Sequence, residues 1–427
     1  MVDGELELRK RAVELAGEGC SLRAIGQELG RSRDWVRLWV SRFRAEGEAG
    51  LVDRSRRPQH SPSRLSETVV NEILEVRDLL EDDRHANVGP KAILAEIEQR
   101  GVLADVPSLA SIKRVLSQAA RSRPYRKRRR SSTSLLGLPT VTVPGRWQQA
   151  DWVQDRLLTG GVRFSSLQIG DVGSHMISSG QHLNRRLLVA VRQLTEQAWP
   201  QMSIPQAMGT DNAFSKTSHL NNPWTIWIRV LLAFGVEAII APPNSLGFIN
   251  HIEKVNDLWQ ARTINRHHYP SLENLADDTT MFLQWANNRR AVLDPAVCGT
   301  RYPAVYVTSC TPKLRWVPTG FSIDTYLDRR GTCHLPITRG RVTFLRYIHP
   351  GHSIEVTNTR WRVPEALPIG GLVVAAINTA AGHLEIRHQG EVVARYDYPL
   401  PPASIDPYHP AATIGLLDHL PAASAMS

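Results

Sequence analysis

Residues 146–157 read RWQQADWVQDRL, and with them the pattern of the chain changes. Upstream, apolar residues recur at helical spacing. Here they stand in a run of strand length, Trp and Val among polar residues. Comparable runs follow at 162–170 and 176–183, the last ending at Asn184, which can cap a helix through Ala198. A strand at 204–210, a helix at 223–234, a strand at 236–241, a long helix starting near Ile249 and another at 271–290 complete the stretch. Three strands followed by alternating helix and strand predict an α/β core, a mixed sheet with helices packed on it, over 144–292.

Toward the C-terminus the helical period fades. Short runs at 341–347, 353–356, 371–377, 384–388 and 392–396, separated by Gly, Asn and Pro, predict a small β-barrel domain within 301–400. A loose tail is expected over 401–427.

Toward the N-terminus the chain reads as all-α. In 21–43, Ile25, Leu29, Val36, Trp39 and Phe43 return to one face, with a break at Gly30 and Ser32 ready to cap the next helix. Helix, glycine turn, helix is the helix-turn-helix unit, assigned to 1–50. Any apolar helix pair would satisfy that pattern alone; the opposite face adds Arg33, Arg37 and Arg44 at helical spacing, with Arg31 in the turn, where they could reach phosphates or guanine edges. A basic linker follows at 51–64. A second helical block at 65–120 opens one helix at Gly89-Pro90-Lys91 and caps another at Pro107-Ser108. It reads either as a second helix-turn-helix, with Lys113 and Arg114 toward DNA, or as a plain helical connector. Within the linker at 121–143, the run RSRPYRKRRR at 121–130 includes Arg126, Lys127, Arg128, Arg129 and Arg130. A run of this kind is a solvated linker or an arm that tracks phosphates, which adds affinity and salt dependence but no sequence information.

Composition agrees with a polyanionic partner. Lys and Arg total 51 against 41 Asp and Glu, a formal net charge of +10 over 427 residues, and each cation that neutralises a phosphate releases counterions. Cys20, Cys298, Cys310 and Cys333 form no zinc-type spacing and read as free thiols in a reducing compartment. The start of the chain has no basic-then-apolar leader, and the apolar run at 230–242 is interrupted by Glu237 and too short for a bilayer. A cytoplasmic, nucleoid-associated protein without membrane contact is expected. No glycine-rich phosphate loop is present, so no nucleotide cofactor is expected.

Three acids stand out by position. Asp151 lies in the first strand, Asp211 just past the fourth, and Glu253 one turn into the following helix. If the first and fourth strands are neighbours, the two aspartates meet at one sheet edge and the helix brings Glu253 over it. Grouped carboxylates raise one another's pKa, a conflict that bound Mg²⁺ or Mn²⁺ removes. Two such ions about 4 Å apart can activate an attacking oxygen and stabilise a leaving one. The reading requires the three side chains to converge closely enough to share the ions.

At these residues the chain resembles the ribonuclease-H-like DDE superfamily of retroviral integrases and insertion-sequence transposases. Trp147-Gln148 with Asp151 is similar to the Trp-Gln-x-Asp first motif, with one extra residue. Asp171 and Ser174 look like Asp-x-x-Ser-Arg, with His175 for Arg. Thr210-Asp211-Asn212 and Phe214 resemble Thr/Ser-Asp-Asn-Gly…Phe, with Ala213 for Gly. Glu253 and Asn256 resemble the Asn-Gly-x-Ile/Val-Glu-Arg-Phe-His/Asn helix, with Ile249-Asn250 for Asn-Gly. The helical N-terminus and the β segment after the core also look like those of insertion-sequence transposases.

The resemblance implies a DNA transposase or integrase with Asp151, Asp211 and Glu253 as catalytic and metal-binding residues and two Mg²⁺ or Mn²⁺ ions per site. It also implies double-stranded DNA, element ends and target, as partner, and a homo-oligomer on DNA, because pairing two ends needs at least two protomers. Two alternatives stay open: a catalytically decayed transposase acting as a sequence-specific DNA-binding protein, and a structure-specific nuclease that cleaves without joining.

Overall fold

The computed structural model describes residues 2–53, 65–121, 138–215, 224–243, 248–294 and 299–398, together with Leu400, Tyr408 and 415–418. The five basic residues from Arg126 to Arg130 lie outside the described residues. The chain divides into two compact units, Met1–Leu65 and Ser66–Ser427.

The first unit holds α1 (Val2–Gly17), α2 (Leu22–Leu29) and α3 (Arg33–Glu46). The signals read at Gly30 and Ser32 act as expected, and Ser21 adds a cap. Ser21 caps α2 by accepting from Ala24 N at 3.3 Å, Gly30 ends it in the left-handed region at φ 62°, and Ser32 caps α3 by accepting from Trp35 N at 3.1 Å. The turn is tight at a second glycine. A Cβ on Gly26 would stand 2.7 Å from the Arg31 carbonyl oxygen, so the α2–α3 corner excludes a side chain there. Ala12, Leu15, Ile25, Val36 and Val40 form a small core in which α1 covers the α2–α3 pair.

The second unit begins with three helices, α4 (Glu67–Asp82), α5 (Pro90–Arg100) and α6 (Leu109–Gln118). Pro90 stands at the start of α5, Ser108 caps α6, and Ile93, Ile97, Ile112, Val115 and Leu116 are buried. This block is bonded to the core that follows. Arg289 pairs with Asp83 at 2.6 Å, Arg262 donates to the Ala86 carbonyl at 2.7 Å, and the Tyr302 hydroxyl to the Ala95 carbonyl at 3.1 Å.

The core opens with β1 (Trp147–Leu157), β2 (Arg163–Asp171) and β3 (Ile177–His182), an antiparallel set. A helical passage follows: α7 (Leu187–Arg192), a π-turn over Gln193–Ala198 and α8 (Trp199–Met202). Next come β4 (Ala207–Thr210), α9 (Ile226–Ala233), β5 (Glu237–Ile240), α10 (Asn250–Arg262) and α11 (Leu272–Asn288). Strand β4 pairs with β1 in parallel, and β5 with β4. The strand order β3-β2-β1-β4-β5 is the mixed α/β core expected from the sequence. Alternation along β1 sorts its two faces. Ala150 and Trp152 join the main apolar cluster with Trp199, Trp227 and Phe234, whereas Gln149 and Asp151 bond to α10.

The remaining elements are β6 (Val292–Asp294), β7 (Gly299–Arg301), α12 (Pro303–Cys310), β8 (Arg341–Tyr347), β9 (Ser353–Val356), β10 (Thr359–Arg362), β11 (Leu372–Asn378), β12 (His383–His388) and β13 (Glu391–Asp397). Strands β8, β9, β11, β12 and β13 fall where the sequence puts them and β10 was not foreseen, but the expected separate barrel is not formed. Strand β8 pairs with β5 in parallel, Ala238↔Val342 to Ile240↔Phe344, and β11, β12 and β13 continue the same nine-stranded sheet. Among the described residues no pairing closes these strands into a barrel. The physical reason lies in β5. All four of its residues are buried, so its outer N–H and C=O groups need a strand rather than water, and β8 supplies it.

Of the tail expected to be loose, 401–427, the described residues are Tyr408 and 415–418, and these contact the core. Tyr408 donates its N–H to the Ala233 carbonyl at 2.7 Å and stacks on Phe234 at 5.1 Å, Leu417 is buried, and Asp418 pairs with Arg341.

Candidate active site

Asp151 and Asp211 are neighbours across β1 and β4. The parallel register ends at Ala150↔Thr210; Asp151 is the next residue of β1, and Asp211 is the first residue past β4. Helix α10 is set over this edge by two amides. Its first residues have no side-chain cap of their own; Gln149 Oε1 accepts from Ile252 N at 3.1 Å and takes that role. One turn on, Asn256 Nδ2 donates to Asp151 Oδ2 at 2.8 Å. Glu253 lies between these two contacts, in the first turn of α10.

The acids act on one another through their charges. Asp151 is pushed up to about 6, first by burial and then by the charge of Asp211, with Glu253 adding to the rise. Hydrogen bonds from Trp152 N, at 2.8 Å to Oδ1, and from Asn256 work the other way. Asp211 accepts from Ala213 N at 3.0 Å and so caps the short 3-10 turn Asn212–Phe214. Neither Ala213 nor Asn250 has a positive φ, so the backbone at these two positions does not call for the glycine that the resembling motifs carry.

The three carboxylates share one end of the sheet but are not gathered into a ligand cage. Among the described residues no group of three His, Cys, Asp or Glu side chains is close enough to hold a metal ion. The donors nevertheless fit a hard divalent cation in kind: all are carboxylate oxygens, and the mutual repulsion that raises Asp151 is what a cation would relieve.

Asp171 has a structural task. It is fully buried, which raises its pKa, and it accepts from Ser174 N at 2.7 Å, Ser174 Oγ at 2.8 Å and Gly145 N at 2.9 Å. That fastens the end of β2 to the entry of β1. Gln148 is equally structural. Its amide bonds Trp199 Nε1 and the Ser203 carbonyl on the sheet face away from α10. Gln149 and Arg346 are the residues that sequence reasoning missed. Gln149 shares the parity of Asp151, a signal present in the strand. Arg346 donates from Nη2 to Asn212 Oδ1 at 2.9 Å, and it had no such signal.

Among the basic candidates, Arg33, Arg37 and Arg44 are exposed on α3, with Arg37 paired to Asp34 at 3.0 Å. Arg31 is half-buried and tied to Glu5. Lys113 and Arg114 are exposed on α6.

Two family models match this region. Residues 8–59 match a helix-turn-helix domain. Residues 35–116 match a homeodomain-like domain. The N-terminal unit is a helix-turn-helix domain. Solved structures similar to the chain include a chain of the cryo-EM structure of the simian T-cell lymphotropic virus intasome in complex with a PP2A regulatory subunit. It is 12% identical, with 66% of this chain and 87% of that one covered and a TM-score of 0.34. Two structures of the HTLV-2 integrase catalytic core domain in complex with magnesium also match. The dimeric form is 13% identical over 36% of this chain and 92% of that one at a TM-score of 0.27, and the trimeric form 16% over 38% and 98% at 0.28. No helix of the described residues is long and apolar enough to cross a membrane.

Proposed function

We propose that the chain is a DNA transposase or integrase that cuts and joins phosphodiester bonds with Asp151, Asp211 and Glu253. The observation that carries the reading is the raised Asp151 carboxyl at a sheet edge shared with Asp211, under a helix that holds Glu253. Asp151, Asp211 and Glu253 would hold two Mg²⁺ or Mn²⁺ ions, whose Lewis acidity would activate the attacking oxygen and offset charge on the leaving one. Gln149 fixes the start of α10, and Asn256 orients the Asp151 carboxylate. Water for cleavage and a DNA 3′-hydroxyl for joining can attack at one site, so no covalent protein intermediate is required.

The helix-turn-helix domain would read the element ends, with Arg33, Arg37 and Arg44 toward the groove. Lys113, Arg114 and the basic run from Arg126 to Arg130 would add phosphate contacts. Two DNA ends call for a homo-oligomer on DNA.

The test is strand transfer on end-sequence duplexes with Mg²⁺ or Mn²⁺. Asp151→Asn, Asp211→Asn and Glu253→Gln should each abolish joining and leave DNA binding intact. Full activity in any of them removes that residue from the assignment. A second reading, a decayed transposase that binds DNA without chemistry, draws on the carboxylates not being gathered into a cage. Mn²⁺ titration separates the two, since a decayed site binds no Mn²⁺ through these carboxylates.

A further inference from the structure

Arg346 reaches this site from β8, in a segment the sequence assigns to a separate domain. Strands β1, β4, β5 and β8 are parallel neighbours in that order, so their carboxyl ends form one edge. The guanidinium is buried, the residue being 5% exposed. Its hydrogen bonds go to neutral oxygens: Asn212 Oδ1 at 2.9 Å, the carbonyls of Ala241 at 3.2 Å and Leu345 at 2.8 Å, and that of Glu355 at 2.8 Å. Burial lowers its pKa to about 10, which leaves it charged at neutral pH. A buried cation is unfavourable without compensation. Two of its acceptors, Asn212 and Ala241, directly follow Asp211 and β5.

This contact fixes the sense of the Asn212 amide. Which end of an amide is oxygen is ordinarily an assignment. A guanidinium, however, carries only donors, so the atom facing Nη2 must be the oxygen. Ser215 Oγ stands 3.0 Å from the Asn212 carbonyl and 3.2 Å from the same Oδ1, sharing its one proton between them. The NH₂ end is therefore turned away from Arg346, on the residue next to Asp211.

The geometry points to Asn212 as a substrate-contacting residue, its NH₂ donating to a non-bridging oxygen of the phosphodiester, and to Arg346 as the positioning residue that orients it. The inference rests on the reading of the site as a phosphodiester-cutting centre. A preoriented neutral donor strengthens as negative charge builds on the phosphoryl oxygens, and it adds no charge to compete with the carboxylates.

The test uses the full chain in Mn²⁺-dependent cleavage of an end-sequence duplex, with Mn²⁺ affinity and thermal stability measured in parallel. Asn212→Ala is expected to lower kcat by ~10²-fold with KM for DNA and Mn²⁺ affinity unchanged. Arg346→Gln should do the same, Arg346→Lys should recover part of the rate, and the Asn212→Ala/Arg346→Gln pair should be no slower than Asn212→Ala alone. Asn212→Ala cleaving at the wild-type rate overturns the inference, as does an Arg346→Gln loss that follows thermal stability alone. Should Arg346→Gln fail to fold, Asn212→Ala still decides. Wild-type protein that neither cleaves nor loses Mn²⁺ affinity on Asp151→Asn overturns the underlying reading, and the inference with it.

Discussion

Asn256 Nδ2 donates to Asp151 Oδ2 at 2.8 Å, so the helix that carries Glu253 is bonded to the strand that carries Asp151. Gln149 makes the second link, from the same face of β1 to Ile252 N. Two elements of the candidate site, β1 and α10, are thus locked by side-chain amides, which remain neutral whatever the state of the carboxylates. The Asn256 bond also opposes the rise in Asp151 caused by burial and by Asp211.

Replacing Asn256 by Leu, close in size and unable to donate, should therefore lift the Asp151 titration above its value of about 6. Carbon-13 shifts of the labelled aspartate carboxyls, followed through pH, read the midpoint. A midpoint that stays in place would mean the amide does not hold this carboxylate in solution.

Asp151 also makes stability depend on pH. Its folded-state value is raised from 3.8 to about 6, so between those values the native state binds more protons than the unfolded chain, and stability falls as pH rises through that window. The loss is at most about 3 kcal/mol. Asp151→Asn should be more stable than wild type at pH 7.5 in EDTA and lose that advantage below pH 4. Adding Mg²⁺ should then stabilise wild type more than the variant. Urea unfolding at the two pH values, with and without Mg²⁺, decides it; equal stabilities throughout would remove the electrostatic conflict from the site.

Local signals proved legible and distant ones did not. Gly30 and Ser32 act as read because a cap or a left-handed turn is settled within a few residues. The meeting of Asp151 and Asp211 was legible once the first and fourth strands were taken as neighbours. Gln149 was within reach, since it stands two residues from Asp151 and strand side chains alternate. The pairing of β5 with β8, and with it Arg346, was not. An edge strand that needs a partner does not announce which later strand supplies it. The tail contacts were missed for a similar reason: Tyr408 and Leu417 are single apolar residues without a period, and what each packs against is set by the core rather than by its neighbours in sequence.

The described tail residues carry a prediction. Asp418 bonds Arg341, whose Nε is 3.3 Å from the fully buried Glu237 carboxylate. Asp418→Ala leaves the Arg341 guanidinium short of partners at the edge of the core, at a cost of about 1–3 kcal/mol. Deleting 401–427 should cost more, because the faces of Phe234 and Phe321 packed by Tyr408 become exposed. Unfolding midpoints in urea measure both. A deletion as stable as the full chain would restore the expectation of a loose end.

The exposed arginines of the helix-turn-helix domain make a different kind of prediction, since their effect belongs to binding rather than folding. Arg33, Arg37 and Arg44 have their side chains in solvent on α3, whereas Arg31 is half-buried against Glu5 and Trp35. Removing one cation that neutralises a phosphate should reduce the slope of log affinity against log salt by ~0.9. Replacing the three α3 arginines by Ala should flatten that slope by up to about 3 between 50 and 200 mM salt, read by fluorescence anisotropy on duplex DNA. An arginine that meets a base edge instead of a phosphate would, on replacement, weaken binding to the preferred sequence and leave the slope alone. The size of the change therefore sorts the three residues between the two roles. Arg31→Ala should lower thermal stability and leave the slope in place, because Arg31 is half-buried against Glu5 and Trp35, whereas Arg37, though paired with Asp34, stands in solvent. A triple variant with both affinity and slope of wild type would take the outer face of α3 off the DNA altogether.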